Sequence, residues 1–209
     1  MARAPVVALI LSLALLGCGG GSDDGSAKGS SSQSEPASLL PGGGEVPAPK
    51  ITDLERAARA AGCKLQSTTA RSRDHIADSQ QRVHYDTNPP TSGKHFQVPA
   101  EDGSYEQAPP DTTIVHSMEH GRVVIWFRPN LPASARAGLR ALVEDDSYQL
   151  LLVPRLKMPF AVAATAWSAS PGPEGTGRLL GCPSFSPGVY HALRDFRDQN
   201  RGRGPEAVP

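Results

Sequence analysis

The side chains able to build a core are distributed very unevenly along this chain, and that asymmetry limits the fold more than any motif does. Residues 19–50 contain eight glycines, seven serines and four prolines, with Val46 and the Leu39-Leu40 pair as the only sizeable apolar side chains. A stretch of this composition cannot bury enough surface to offset the entropy of ordering it. Residues 18–50 are therefore expected to form a flexible tether with a reach of roughly 30 Å. One globular domain is expected over 51–203, followed by a short tail at 204–209.

Ahead of the tether, Arg3 precedes an apolar run from Ala4 to Leu16 that is too short to span a bilayer as a permanent helix and has the layout of an export signal. Its end, Leu15-Leu16-Gly17-Cys18, resembles the lipobox of bacterial lipoproteins. That resemblance implies removal of residues 1–17, acylation of Cys18, and anchoring on the extracytoplasmic face of a bacterial membrane. Two or more acyl chains on one residue hold stably where a single chain would not. The membrane is then the expected partner. With 21 basic and 21 acidic side chains, the chain lacks the basic excess that phosphate neutralisation requires, so no nucleic-acid partner is expected. No protein partner can be named from the sequence. Besides Cys18 there are two cysteines, Cys63 and Cys182. In an exported protein such a pair is expected to be bridged, and the alternative is that one of them joins a metal site as a soft ligand.

Within the domain the hydrophobic pattern divides in two. Thr52-Asp53-Leu54-Glu55 reads as the start of a short helix that Gly62 closes. Residues 64–111 have no clear period and are rich in proline and glycine, and so long a structureless stretch inside a domain is usually functional. From Arg122 the order is strand (Val123–Phe127), helix (Ser134–Asp145), strands (Tyr148–Val153 and Ala161–Trp167) and a last helix (Gly188–Asn200). This predicts an α+β fold: a small mixed β-sheet with packed helices and a long Pro/Gly-rich functional loop. Trp126 and Trp167 read as core aromatics.

Five of the six histidines fall between positions 75 and 120: His75, His84, His95, His116 and His120. His116 and His120 are four residues apart, so on a helical turn their imidazoles lie one above the other and can share an ion. Gly121, directly before the strand, favours such a turn ending there. Asn88-Pro89-Pro90-Thr91-Ser92-Gly93-Lys94-His95 reads as a rigid loop delivering a third imidazole.

Those two segments also carry a family resemblance. Tyr85-Asp86-Thr87-Asn88-Pro89-Pro90-Thr91-Ser92-Gly93-Lys94-His95 and Val115-His116-Ser117-Met118-Glu119-His120-Gly121-Arg122-Val123-Val124-Ile125 resemble the hallmark blocks of the bacterial domain-of-unknown-function family numbered 3105. Ala164-Thr165-Ala166-Trp167 matches a later element of the pattern, and His75 sits where the family often has a histidine. The chain departs from the pattern at Lys94, usually proline, and at Met118, usually leucine, which argues against Met118 as a thioether ligand. The resemblance implies an exported or membrane-tethered protein and brings no established activity.

The motif His116-x-x-Glu119-His120 also matches the inverted zincin pattern. Those enzymes need a long helix, whereas the β-branched run Thr112–Val115 and Gly121 limit a helix here to a turn or two. Neither Ser92 nor Ser117 sits in a nucleophile elbow. No catalytic residue is assigned. The expected site is a copper or zinc site built from His95, His116 and His120 and completed by His75 or His84. Glu119 is expected as a weak ligand or as a group orienting an imidazole, and Asp86 as a lesser orienting partner. The alternative is a lipid-anchored interaction module in which the histidines only hold the proline loop to the sheet.

Overall fold

The structure, a computed structural model, describes residues 38–206. The expected export signal, Cys18 and the first part of the expected tether lie outside the described residues. In chain order the elements are α1 (Leu54–Ala60), β1 (Lys64–Thr69), β2 (His75–Ile76), β3 (His95–Phe96), β4 (Gly103–Ser104), α2 (Asp111–Glu119), β5 (Val123–Phe127), α3 (Ala133–Asp145), β6 (Leu150–Pro154), β7 (Val162–Ser168), β8 (Thr176–Cys182) and α4 (Val189–Asn200). The fold is α+β, as the sequence predicts.

Six strands form one mixed sheet in the order β1-β8-β7-β5-β6-β4. The pairs β5–β6 and β6–β4 are parallel and the other three are antiparallel. Residues Val123–Phe127 form a continuous apolar run because β5 lies inside the sheet and both of its faces are covered. Val123, Ile125 and Phe127 pack with Leu139 and Leu142 of α3, Ala57 of α1 and Leu193 of α4. Val124 and Trp126 belong to the opposite layer, with Ile114, Val115 and Met118 of α2. The Trp126 indole N–H donates to the Thr165 hydroxyl at 2.7 Å, satisfying the one polar group this layer buries at that point. The sheet thus separates three helices on one side from α2 and the irregular 70–110 region on the other. Cys63 and Cys182 are bridged across the start of β1 and the end of β8.

The structure revises the reading of the sequence in five places. Residues 64–69 and 176–182 are strands. β1 is a polar edge strand with little burial, so it carries no alternation to detect. β8 is interrupted by Gly177 and Gly181, and a Cβ at Gly177 would collide with the Thr91 side chain. The glycine that obscures this strand is what lets the proline loop lie against it. The nine residues of α2 are about two and a half turns, longer than expected. The β-branched run Thr112–Val115 is helical because its side chains are mostly buried against the sheet, so packing outweighs propensity.

The other two revisions concern the ends of the domain. Residues 38–50 lie against the fold rather than free of it. Leu40 is 2 % exposed within the core, the Glu106 carboxylate accepts from the Leu39 and Leu40 N–H groups at 2.8 and 3.2 Å, and Arg140 donates to the Leu40 carbonyl at 2.8 Å. At the other end the expected tail also docks, and the Glu206 N–H donates to the Glu119 carbonyl at 3.0 Å.

Candidate metal centre

Three short elements bring the site together on the α2 side of the sheet. β2 and β3 form a parallel two-stranded ribbon whose register sets His75 opposite His95. α2 supplies His116 and Glu119, three residues apart and therefore neighbours on one face of the helix. The imidazoles of His75, His95 and His116 form a triangle with centroid separations of 4.8, 5.0 and 4.8 Å. One nitrogen from each ring and a Glu119 carboxylate oxygen all lie within 4.8 Å of one another. His95, His116 and Glu119 are 0, 4 and 1 % exposed, while His75 faces solvent and is the open side of the group.

The backbone fixes which nitrogens point inward. His95 Nδ1 lies 2.8 Å from the Gly93 carbonyl oxygen, and His116 Nδ1 lies 2.7 Å from that of Phe96. A carbonyl can only accept, so both Nδ1 atoms carry the proton. In the neutral rings each Nε2 is then a bare lone pair: that of His95 faces Glu119 Oε2 at 2.9 Å, and that of His116 faces His120 Nε2 at 2.9 Å. His95 Nε2 is fully buried without a hydrogen bond: Glu119 Oε2 is 2.9 Å away, but not aligned to accept one. A lone pair facing a carboxylate is repulsive unless a cation stands between them, either a second proton on His95 or a metal ion.

The protonation state of His116 agrees with that geometry. Burial pushes the His116 imidazole down to about 4; the bond to the Phe96 carbonyl opposes this, while His120, His95 and His75 add to it. His116 is therefore neutral near pH 7, with Nε2 free to act as a ligand. Burial works against ionisation of Glu119, but hydrogen bonding and charge from a protonated His95 and then from Arg73 outweigh it and hold the carboxyl at about 2; with His95 neutral, that help falls to Arg73 or to a bound cation. Arg73 Nε donates to Glu119 Oε1 at 2.7 Å, which leaves Oε2 turned toward the histidines. The edge of Trp167 closes the inner wall, with its ring centroid 5.8 Å from that of His95, so this core aromatic also borders the site.

His120 joins a second group rather than the first. Just past the end of α2, its Nε2 is 2.9 Å from His116 Nε2 and 3.5 Å from Glu206 Oε2. Because His116 Nε2 is bare, His120 is the donor in the first contact. Burial lowers the pKa of His120, with Glu206 opposing. Gly121 directly follows with φ +86°, and a Cβ there would press on the backbone of Gly202 at 2.9 Å, so the turn and the docked C-terminal segment both require glycine. His84 is not brought to either group: it is exposed beside Arg71 and Lys94. Asp86 pairs with Arg71 at 2.9 Å and orients no imidazole. Arg73 and Glu206 were not anticipated, because no spacing or motif connects either of them to the histidines.

An α+β domain with a buried histidine–carboxylate cluster on one face of its sheet is the class of protein that these observations define. A family model described as protein of unknown function (DUF3105) matches residues 75–181, and the chain belongs to that family. The matched region holds His75, His95, His116, Glu119 and His120, but neither Arg73 nor Glu206. No curated protein and no solved structure matches the chain.

Proposed function

We propose that this is an extracytoplasmic metal-binding protein, tethered to a bacterial membrane through acylated Cys18, in which His75, His95, His116 and Glu119 hold one zinc or copper ion. The observation that carries the reading is the pair of Nε2 lone pairs left free: the Nδ1 atoms of His95 and His116 are committed to backbone carbonyls, and His95 Nε2 is buried with no hydrogen bond. Carbonyl bonds of this kind orient the histidines of metal sites. Three imidazoles and a carboxylate suit zinc or copper, and the Irving–Williams order favours copper where both are available. Tetrahedral zinc with bonds of about 2.0–2.1 Å places its ligands about 3.4 Å apart. The widest separations, up to 4.8 Å, would close by about 1.4 Å, which His75 on its exposed two-residue strand has room to do, while His95 Nε2 and Glu119 Oε2, at 2.9 Å, would part by about half an ångström.

A second reading rests on Arg73. If His95 carries both protons, Arg73, Glu119 and His95 form a buried charge network, the histidines are structural, and the domain is an interaction module. Equilibrium dialysis against zinc and against copper separates the two. The metal reading expects one ion per chain, lost when His95 and His116 are both replaced by alanine. No retained ion, or equal retention by that double variant, supports the structural reading. The anchor is tested separately: Cys18→Ser should move the protein from the membrane fraction to the soluble one, and a variant that stays with the membrane refutes it.

A further inference from the structure

Building on the metal centre proposed above, we propose that His120 and Glu206 form an outer station through which the ion enters and leaves, with His116 as the ligand common to both positions. Among the described residues there are two groups of metal-competent side chains, His75, His95, His116 and Glu119, and His116, His120 and Glu206. They share one residue, His116. His116 Nδ1 is occupied by the Phe96 carbonyl, so Nε2 is the only nitrogen His116 can offer to either group. A single lone pair binds one ion at a time. The groups are therefore alternative positions for the same ion rather than two sites filled together.

Both groups open to solvent, the inner one at the His75 imidazole, and the outer one differs in presenting a carboxylate there. The inner set is almost dry except for His75, whereas the side chains of His120 and Glu206 are 13 and 45 % exposed. A hydrated ion meets Glu206 first, a carboxylate at the edge of the cluster. In the ion-free protein His120 Nε2–H caps the His116 lone pair. To bind the ion through Nε2, His120 moves that proton to its own Nδ1 through solvent, with no net proton release. Glu206, His120 and His116 each displace one water from the ion. The ion then keeps its bond to His116 Nε2 and exchanges the two outer ligands and one remaining water for His95 Nε2, Glu119 Oε2 and His75. His120 returns its proton to Nε2 and donates to Glu206.

The outer station is held in place from the C-terminal side. The Gly202 N–H donates to the Gly121 carbonyl at 2.9 Å, the Ala169 N–H to the Arg203 carbonyl at 2.8 Å, and the Glu206 N–H to the Glu119 carbonyl at 3.0 Å. Arg201 grips Asp146 through both terminal nitrogens, at 2.7 and 2.8 Å. A segment after the last helix is thus fastened to the end of α2 and carries its carboxylate to the imidazole pair.

The test uses the full-length chain, with Cu²⁺ as the probe and tryptophan quenching as the signal, since Trp167 borders His95. Capture of Cu²⁺ and its release to excess EDTA are followed by stopped flow for wild type, Glu206→Gln and Glu206→Gln/His120→Ala. An entry station lowers the barrier in both directions, so capture and release should both slow, by about tenfold or more for the double variant, as for loss of a charged guide to a cleft. The dissociation constant should not rise, at one ion per chain, because losing the His120 cap raises the free energy of the ion-free state alone. Uptake of one ion with unaltered rates in both variants overturns the entry role and leaves the centre standing. Weaker equilibrium binding by the double variant overturns it by making His120 or Glu206 a resident ligand, and two ions per wild-type chain overturn the shared position. Failure of wild type to take up any ion removes the centre itself.

Discussion

Replacing His116 by alanine separates the two roles its imidazole can play, because each predicts a different dependence on metal. In the ion-free domain the substitution takes the donor from the Phe96 carbonyl and the acceptor from His120 Nε2–H. Leaving such buried groups without partners costs about 1–3 kcal/mol. For a domain of this size each kcal/mol is about 2–4 °C in melting temperature, so the ion-free variant should melt lower by about 2–12 °C. Zinc at a hundredfold excess over its dissociation constant should add about 2.7 kcal/mol to wild type, or about 5–10 °C. The variant keeps His75, His95 and Glu119, loses the ligand that faces all of them, and at the same zinc concentration should gain almost nothing. The gap between the two proteins should therefore widen by most of the zinc-induced shift. Thermal melts followed by circular dichroism, with and without zinc, read this directly. A gap of the same size in both conditions would refute the reasoning and reduce His116 to a structural hydrogen-bonding group.

Two further outcomes are expected. Leu40→Ala should destabilise the domain by about 2–5 kcal/mol, the usual range for deleting a buried leucine side chain, in urea unfolding; a change within error would place residues 38–50 outside the cooperative unit. Acid should destabilise the ion-free domain in two stages. The folded-state value of about 4 for His116 lies below the ordinary 6.5, so the unfolded chain binds that proton first and stability present above pH 6.5 is lost as the pH falls toward 4. The same sign holds for Glu119, with its loss between 4.5 and about 2. A urea midpoint that rises between pH 7 and pH 4 would contradict a neutral His116.

The elements readable from the sequence were those with a strong apolar period. Helix α3, helix α4 and the strands β5, β6 and β7 all bury a face or both faces, and their boundaries lie within a few residues of expectation. What escaped detection is held by polar or glycine-mediated contacts. β1 is an exposed edge, β8 is obscured by glycines that admit the proline loop, and residues 38–50 are fixed by Glu106, Arg136 and Arg140, none of which is near them in sequence. The site divides in the same way. His95, His116 and Glu119 sit in compact blocks that advertise them. The choice of His75 over His84 depends on the pairing of two-residue strands, which has no periodic signature. Arg73 and Glu206 act through tertiary contacts alone. The Gly93 and Phe96 carbonyls, which set the histidine tautomers, are backbone atoms that any sequence would possess.

The central claim is that the Nε2 lone pairs of His95 and His116 converge to hold an ion, and long-range ¹H–¹⁵N spectra of the histidine side chains address it most directly. Before metal is added, His95 and His116 should show Nδ1-protonated rings, with Nε2 at the position of an unprotonated nitrogen. One equivalent of zinc should shift the Nε2 resonances of His95 and His116, together with a ring nitrogen of His75, and leave His84 and His191 where they were. An imidazolium pattern at His95 that persists through the titration, or shifts confined to the exposed His84, would contradict the account.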